Sequence, residues 1–252
     1  MMWRYNQDDT PPVLTARDNI ENGHSERIML ELPETAIVFF MGKGVEYLTK
    51  MHHCTMLTNR FPRFLAVCPI YSIDGHDVCF LNGGAGAPQA VDTLETLAEL
   101  GVKNIICAGM FGAFSDKVNV GDIIAPSRAF VEEGTSLHYY ESIEYAEPDK
   151  ELTALIAARG GISSYPIVTT DAVYRQTFYK ERLWREKGAV GVDMETSAMF
   201  SVGKYLGVRV AAILAASDKA PMSEHEPGWK WSMTHDMRKD ISALAAGIAM
   251  QI

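Results

Sequence analysis

Two apolar, β-rich runs in this chain end in acids, and that pattern constrains the fold more than any other feature. Residues 188–192 (Gly-Ala-Val-Gly-Val) lead into Asp193-Met194-Glu195 and then an apolar helical pattern, and residues 208–216 end in Ser217-Asp218. An acid at the carboxyl end of a buried strand stands where open α/β sheets place their ligands.

The same alternation runs upstream. Residues 36–41 form a short apolar run bounded by Glu34-Thr35 and Gly42-Lys43-Gly44, which predicts a buried strand, with a helix over 44–52. Residues 64–71 and 76–81 read as a hairpin joined across Asp74-Gly75, a favoured turn dipeptide. The glycine-rich stretch 82–88 leads into an amphipathic helix whose Ala90, Leu94, Leu97 and Leu100 recur at three- and four-residue spacing. Residues 103–108 read as a strand, 109–112 as a tight loop and 122–127 as a further strand. The stretch 131–149, rich in Glu, Tyr and Ser, reads as irregular. Strands over 164–169 and 188–192 and a closing helix over 234–250 complete the pattern.

Strands alternating with helices predict an α/β fold: a single domain with a central mixed β-sheet flanked by helices. With 252 residues, 47% of them hydrophobic, the chain can fill one full core. Residues 1–27, polar and carrying Pro11-Pro12, read as an N-terminal arm along the surface, and 28–252 as the domain.

Charge and composition exclude several classes of partner. The net charge is −9 and no Lys/Arg cluster could track a phosphate backbone, so nucleic acid is not an expected partner. No run approaches the roughly 18 apolar residues of a spanning helix, and the polar start at 1–7 lacks a signal-peptide core, so no membrane association is expected. Cys54, Cys68, Cys79 and Cys107 follow no metal-ligand or disulfide spacing, which predicts no metal site and a reducing, cytoplasmic setting.

The acids and glycines are the candidate chemistry. Asp193 can cap a helix beginning at Met194, which leaves Glu195 in the first turn near the positive end of the helix dipole, where its carboxylate is expected to stay ionised. An ionised Glu195 can accept two hydrogen bonds from a vicinal diol such as a ribose, with Met194 against the sugar face. Alternatively, Glu195 only favours the helix start and Met194 is core. Gly84 and Gly86 can present backbone N–H groups to a phosphate, or merely permit a sharp turn. Asp218, after a strongly apolar strand, suits a general acid, or caps the next turn. His138 lies in a polar loop where it contacts a sugar or a subunit neighbour, or only solvent. Trp229 and Trp231 form an aromatic lid over a base, or pack a loop or subunit contact.

Taken in order along the chain, these residues resemble the nucleoside phosphorylase superfamily, the group that contains uridine phosphorylase, hexameric-type purine nucleoside phosphorylase and related nucleosidases. The resemblance runs from about Ala36 to the C-terminus. Its carriers are residues 84–88, 109–113 with 120–122, 133–138, 169–174, 192–195 and Ser217-Asp218.

The resemblance implies reversible phosphorolysis of a nucleoside to free base and ribose 1-phosphate, with phosphate as co-substrate and no other cofactor. It also implies a homo-oligomer, a dimer or a trimer of dimers, in which a neighbour completes each site. By that likeness Glu195, Met194 and His138 hold the ribose, and Tyr174, Arg175, Gln176 and Gly109 lie near the base. Asp218 matches the acid that protonates a purine at N7, and Gly42, Gly84, Gly86, Arg63 and Met110 surround the phosphate. Asp218 favours a purine, whereas Gln176 and Arg175 keep uridine open.

The chain departs from the family pattern at the phosphate. Relatives carry Arg where this chain has Cys107, and Ser or Thr where it has Met110. A phosphate dianion needs such compensation; Lys43, Arg60 and Arg63 are the substitutes, Arg63 by reaching across a dimer. The departure keeps open a nucleosidase that uses water, and a binding protein without turnover.

Overall fold

The computed structural model describes residues 10–23 and 30–252, so residues 1–9 and 24–29 lie outside the described residues. Within the described part of the expected arm, α1 (Ala16–Asn22) is a helix started by a capping box between Thr15 and Asp18. It is tied down by Arg17 to Glu99 at 2.7 Å and by the Asn19 amide, which donates to Pro62 O at 2.7 Å.

The elements that follow are β1 (Thr35–Phe40), α2 (Gly44–Met51), β2 (Cys54–Thr58), β3 (Ile70–Ile73), β4 (Val78–Asn82), α3 (Ala87–Glu99), β5 (Asn104–Ala113) and β6 (Ile123–Glu132). Then come β7 (Tyr145–Ala146), α4 (Lys150–Ala157), β8 (Ser163–Thr170), α5 (Phe178–Glu186), β9 (Gly191–Asp193), α6 (Thr196–Leu206), β10 (Arg209–Lys219), β11 (Lys230–Trp231) and α7 (His235–Ala249). Together they form a single α/β domain around one mixed sheet. β5 pairs with β1, β9 and β10, so β5, β10, β6, β8 and β9 close on one another as a ring, and β1, β4, β3 and β2 extend from β5 as an open wing.

Period-two alternation sorts the strands onto two cores. Val38, Leu81, Ile105 and Leu214 pack with Leu94 and Leu97 of α3 and Met199 and Val202 of α6. Ile37, Phe39, Phe80, Ile106 and Ile213 face the other way, against Leu48 of α2 and Ile241 and Ala245 of α7. A fully buried Leu or Ile contributes roughly 1.5–3 kcal/mol, so these two layers hold the carboxyl ends of β1, β4, β5 and β10 as a rigid rim.

The structure corrects several sequence expectations. Residues 64–67 are not part of a strand: Phe64, Leu65 and Val67 are exposed, β3 starts at Ile70, and its outer partner is the unanticipated β2. The Asp74-Gly75 turn does join β3 to β4, with Gly75 at φ 80. Residues 109–112 are not a loop but the continuation of β5, because Gly109, Met110, Phe111 and Gly112 find partners along β10. The stretch 131–149 contains the end of β6, a 3-10 turn at 135–138 and β7. Helices α4 and α5 were not anticipated. Among the described residues no helix is long and apolar enough to cross a membrane.

Candidate functional site

Gly112 of β5 is the hinge of the site. It faces Val192 of β9 on one side and Asp218 of β10 on the other, so the two acid-bearing segments are separated by a single strand at one rim of the sheet. Neighbouring strands lie about 4.8 Å apart, so these two segments are about two strand spacings apart. Gly112 keeps this approach close: a Cβ there would stand 3.2 Å from Asp218 Oδ2, so the carboxyl would have to give way by a few tenths of an ångström.

Asp218 belongs to β10 itself rather than to a cap after it, and is 7% exposed. The Ser217 hydroxyl lies against Oδ1 and the Trp229 indole N–H donates to Oδ2. Trp229 and Trp231 stand side by side, ring centroids 6.3 Å apart, in the segment that ends in β11. β11 pairs with β10 at Asp218 and Lys219.

Glu195 is the N-cap residue of α6, which starts at Thr196, two residues later than the sequence suggested. Asp193 still caps this end: its Oδ2 accepts from the Thr196 N–H at 3.1 Å and from the Thr196 hydroxyl, and its Oδ1 accepts from Thr169 Oγ1 at 2.7 Å. Glu195 Oε1 accepts the Gly86 N–H at 2.6 Å, which draws the α6 start against the turn after β4.

Both carboxyls are pushed above the usual carboxylate range. Burial is the main cause for each, and for Glu195, only 9% exposed, the neighbouring Asp193 charge adds to it. The amides of Gly86 and Met194 pull Glu195 the other way but do not prevail. The expectation that Glu195 stays ionised on its helix dipole is therefore corrected: loss of water and a like charge outweigh a dipole contribution of about 0.3–1 kcal/mol. Met194 is half-buried between the two acids.

The glycine turn is already satisfied from within the chain. The Gly84 N–H donates to Asn82 Oδ1 at 2.8 Å, the Ala85 N–H to Gln89 Oε1 at 2.9 Å, and the Gly86 N–H to Glu195. Gly84 and Gly86 have φ of 92 and 80, as the sharp turn demands. Arg63, 4% exposed, does not reach outward: its guanidinium donates to Ala66 O, to Asn82 O at 2.8 Å and to Thr93 Oγ1 at 2.8 Å, bracing this turn from below. Its expected reach across a dimer is thus corrected. Cys107 is buried beneath the acids, where Asp193 and Glu195 add to the burial that raises its thiol. Gly109 is buried beside Phe40 and Leu214, Met110 is half-buried, and Gly42 is exposed with open space around it.

Other candidates stand apart. His138 is exposed, with no side-chain hydrogen bond or ion pair among the described residues, and Tyr174, 95% exposed, projects with Arg175 from a 3-10 turn at 173–175, with Gln176 half-buried after it. The turn bearing His138 is nonetheless fixed to α6. Buried Glu133 accepts from the Ser136 N–H at 2.9 Å, from the Ser136 hydroxyl and from Ser197 Oγ at 3.0 Å, and Ser136 Oγ meets Ser201 Oγ at 2.7 Å. Sequence reasoning missed this network, along with Gln89 and Asn82. The three-residue spacing of Glu133 and Ser136 was its only signal. No group of three or more metal-ligating side chains occurs among the described residues.

The comparisons with known proteins bear on the family and the fold. A sequence model of the phosphorylase superfamily matches residues 34–249. A guanosine phosphorylase of Halorubrum lacusprofundi is 34% identical over 148 residues, covering 56% of this chain and 61% of the relative. A uridine phosphorylase of Haemophilus influenzae is 27% identical over 161 residues, covering 56% and 64%. The matched segments thus span less than two thirds of either relative. A purine nucleoside phosphorylase from Toxoplasma gondii, solved in complex with immucillin-H, superposes with a TM-score of 0.73 at 21% identity, over 89% of this chain and 93% of that one.

Proposed function

The chain belongs to the phosphorylase superfamily, and from that premise we propose that it is a nucleoside phosphorylase, cleaving the N-glycosidic bond of a purine nucleoside with phosphate to give free base and ribose 1-phosphate. The observation that carries the proposal is that Gly112 has Asp218 on one side and, on the other, Val192 of the short strand that leads three residues later to Glu195. Glu195 is the residue that grips the ribose diol, and Asp218 faces the departing base.

Protonation of N7 lets a purine leave with the electron pair of the broken C1′–N9 bond. A positioned acid contributes ~10²–10⁴-fold to such a step. The guanosine phosphorylase relative supports a purine, and the exposure of Tyr174 and Arg175 gives uracil no ready-made partner within one chain. Uridine is the second substrate to test. The cation that phosphate requires is assigned to Lys43, next to Gly42 on the same rim, or to a neighbouring subunit of a homo-oligomer. The reading places the reaction in a reducing cytoplasm.

One observation favours a second reading, hydrolysis by water: the three amides of the glycine turn are already taken. Incubating guanosine, inosine and uridine with and without inorganic phosphate separates the two. Base release that requires phosphate is expected. Equal release without phosphate replaces phosphorolysis by hydrolysis, and no release from any nucleoside removes both.

A further inference from the structure

β11 is only two residues long, yet it lies against the one stretch of β10 that carries the acid: Trp231 is opposite Asp218, Lys230 is opposite Lys219, and the Ser232 N–H donates to Ser217 O at 3.1 Å. Just before this strap, Trp229 turns its indole N–H onto Asp218 Oδ2 while remaining 58% exposed. Burial therefore does not hold the ring in place. Its one polar atom is spent on a buried carboxyl.

An indole N–H only donates. A carboxylic acid has two unlike oxygens, and this donor can meet only the one without the proton. Oδ2 is thereby marked as the acceptor, and the acid proton is left to Oδ1, beside Ser217 Oγ. The serine has one proton and two acceptor neighbours, Oδ1 and Phe111 O at 3.2 Å. With Asp218 in its acid form, Oδ1–H donates to Ser217 Oγ and the serine passes its own hydrogen to Phe111 O, so every group is satisfied. Once the proton has gone to a base nitrogen, the serine can turn its hydrogen to Oδ1, and the new carboxylate is met by two donors.

We propose that Trp229 is a positioning residue for Asp218: its indole N–H fixes Oδ2 as acceptor, so that Oδ1 delivers the proton to the base, and it then stabilises the carboxylate that forms. The proposal rests on the phosphorylase reading. In the step, the Asp218 O–H bond breaks, a base N–H bond forms, and the C1′–N9 pair goes to the base. A hydrogen bond that strengthens as charge develops lowers the barrier more than it aids substrate binding.

The test compares the full chain with Trp229→Phe, which keeps an aromatic ring and deletes the N–H. A hydrogen bond to a charged group is worth enough for about a tenfold effect or more, so kcat with guanosine should fall about tenfold with KM within twofold. Uridine cleavage, which does not draw on N7, should be unaffected.

An unchanged kcat, or equal losses with both nucleosides, overturns the proposal. If the parent protein cleaves no nucleoside, the phosphorylase reading fails on its own, and tryptophan emission still decides the contact. The Trp229 component, taken as parent minus Trp229→Phe, should shift to the red in Asp218→Ala as the indole loses its acceptor and becomes solvated; an unshifted component overturns the proposal.

Discussion

The acid side and the glycine turn share one rim of the sheet, but their polar groups are satisfied in opposite ways. Around Asp218, donors gather on an acceptor: Ser217 Oγ at one oxygen and Trp229 Nε1 at the other. Around residues 84–86, acceptors gather on donors: Asn82, Gln89 and Glu195 take the three amides in turn. A buried N–H group is costly to leave unpaired, and the Asn82 and Gln89 carboxamides and the Glu195 carboxyl leave no amide of this turn open. Glu195 links the two regions, since the same carboxyl that is assigned to the ribose closes the last amide of the turn.

The widest separation between the two regions is expected from the acids. Asp218→Asn removes the transferable proton, so turnover of guanosine should fall by ~10²–10⁴-fold while uridine cleavage changes little. Glu195→Ala should cost about a hundredfold with either nucleoside, an effect of the size seen when one hydrogen-bonding group is lost from an active site. Steady-state kinetics on both substrates checks the pair. Equal losses in Asp218→Asn would take the acid away from N7, and unchanged kinetics in Glu195→Ala would remove it from the ribose.

The acid side was also the more legible in the sequence. Runs such as 210–216 are apolar at every position because the strand is covered on both faces, and a buried strand announces its end by its first polar residues, here Ser217-Asp218. The glycine turn was legible only as a turn. Whether an amide is free for an anion depends on where Gln89 and Asn82 point and on Glu195, 109 residues away along the chain. No local pattern carries that information. The residues 109–112 were misread for a related reason: two glycines signal a loop locally, yet here they give Leu214, Phe40 and the Asp218 carboxyl room beside a continuous strand. Burial likewise reversed the expected ionisation of Glu195, because the helix start is visible in the sequence whereas the lost water is not.

A smaller effect should come from uncapping the turn. Gln89→Ala frees the Ala85 N–H and clears the space beside Gly84, where a Cβ would now meet the Gln89 side chain at 2.3 Å. The α3 start then offers an open amide to an anion. One recovered charge-assisted hydrogen bond corresponds to about a tenfold lower phosphate KM. If the phosphate KM does not move, the anion does not rest on this turn, and the likeness between this stretch and a phosphate cradle is one of backbone shape alone.

The smallest expected effect lies in stability and probes the residue that both regions share. Folding raises the pKa of Glu195, through burial first and the Asp193 charge second. The folded state therefore holds that proton more tightly than the unfolded chain does. The advantage is complete below the ordinary carboxylate value of 4.5 and is lost as the pH climbs from there toward the raised value. Glu195→Gln keeps a carbonyl oxygen for the Gly86 N–H but cannot ionise. On the alkaline side it should melt about 3 °C above the parent, since roughly 1 kcal/mol moves the Tm of a chain this long by about 2–4 °C, and its melting temperature should depend less on pH. Thermal melts from pH 5 to 9 decide it. Parallel curves for parent and variant would mean that Glu195 carries its charge at no cost, with the Gly86 amide and the α6 start supplying all the compensation that burial removes.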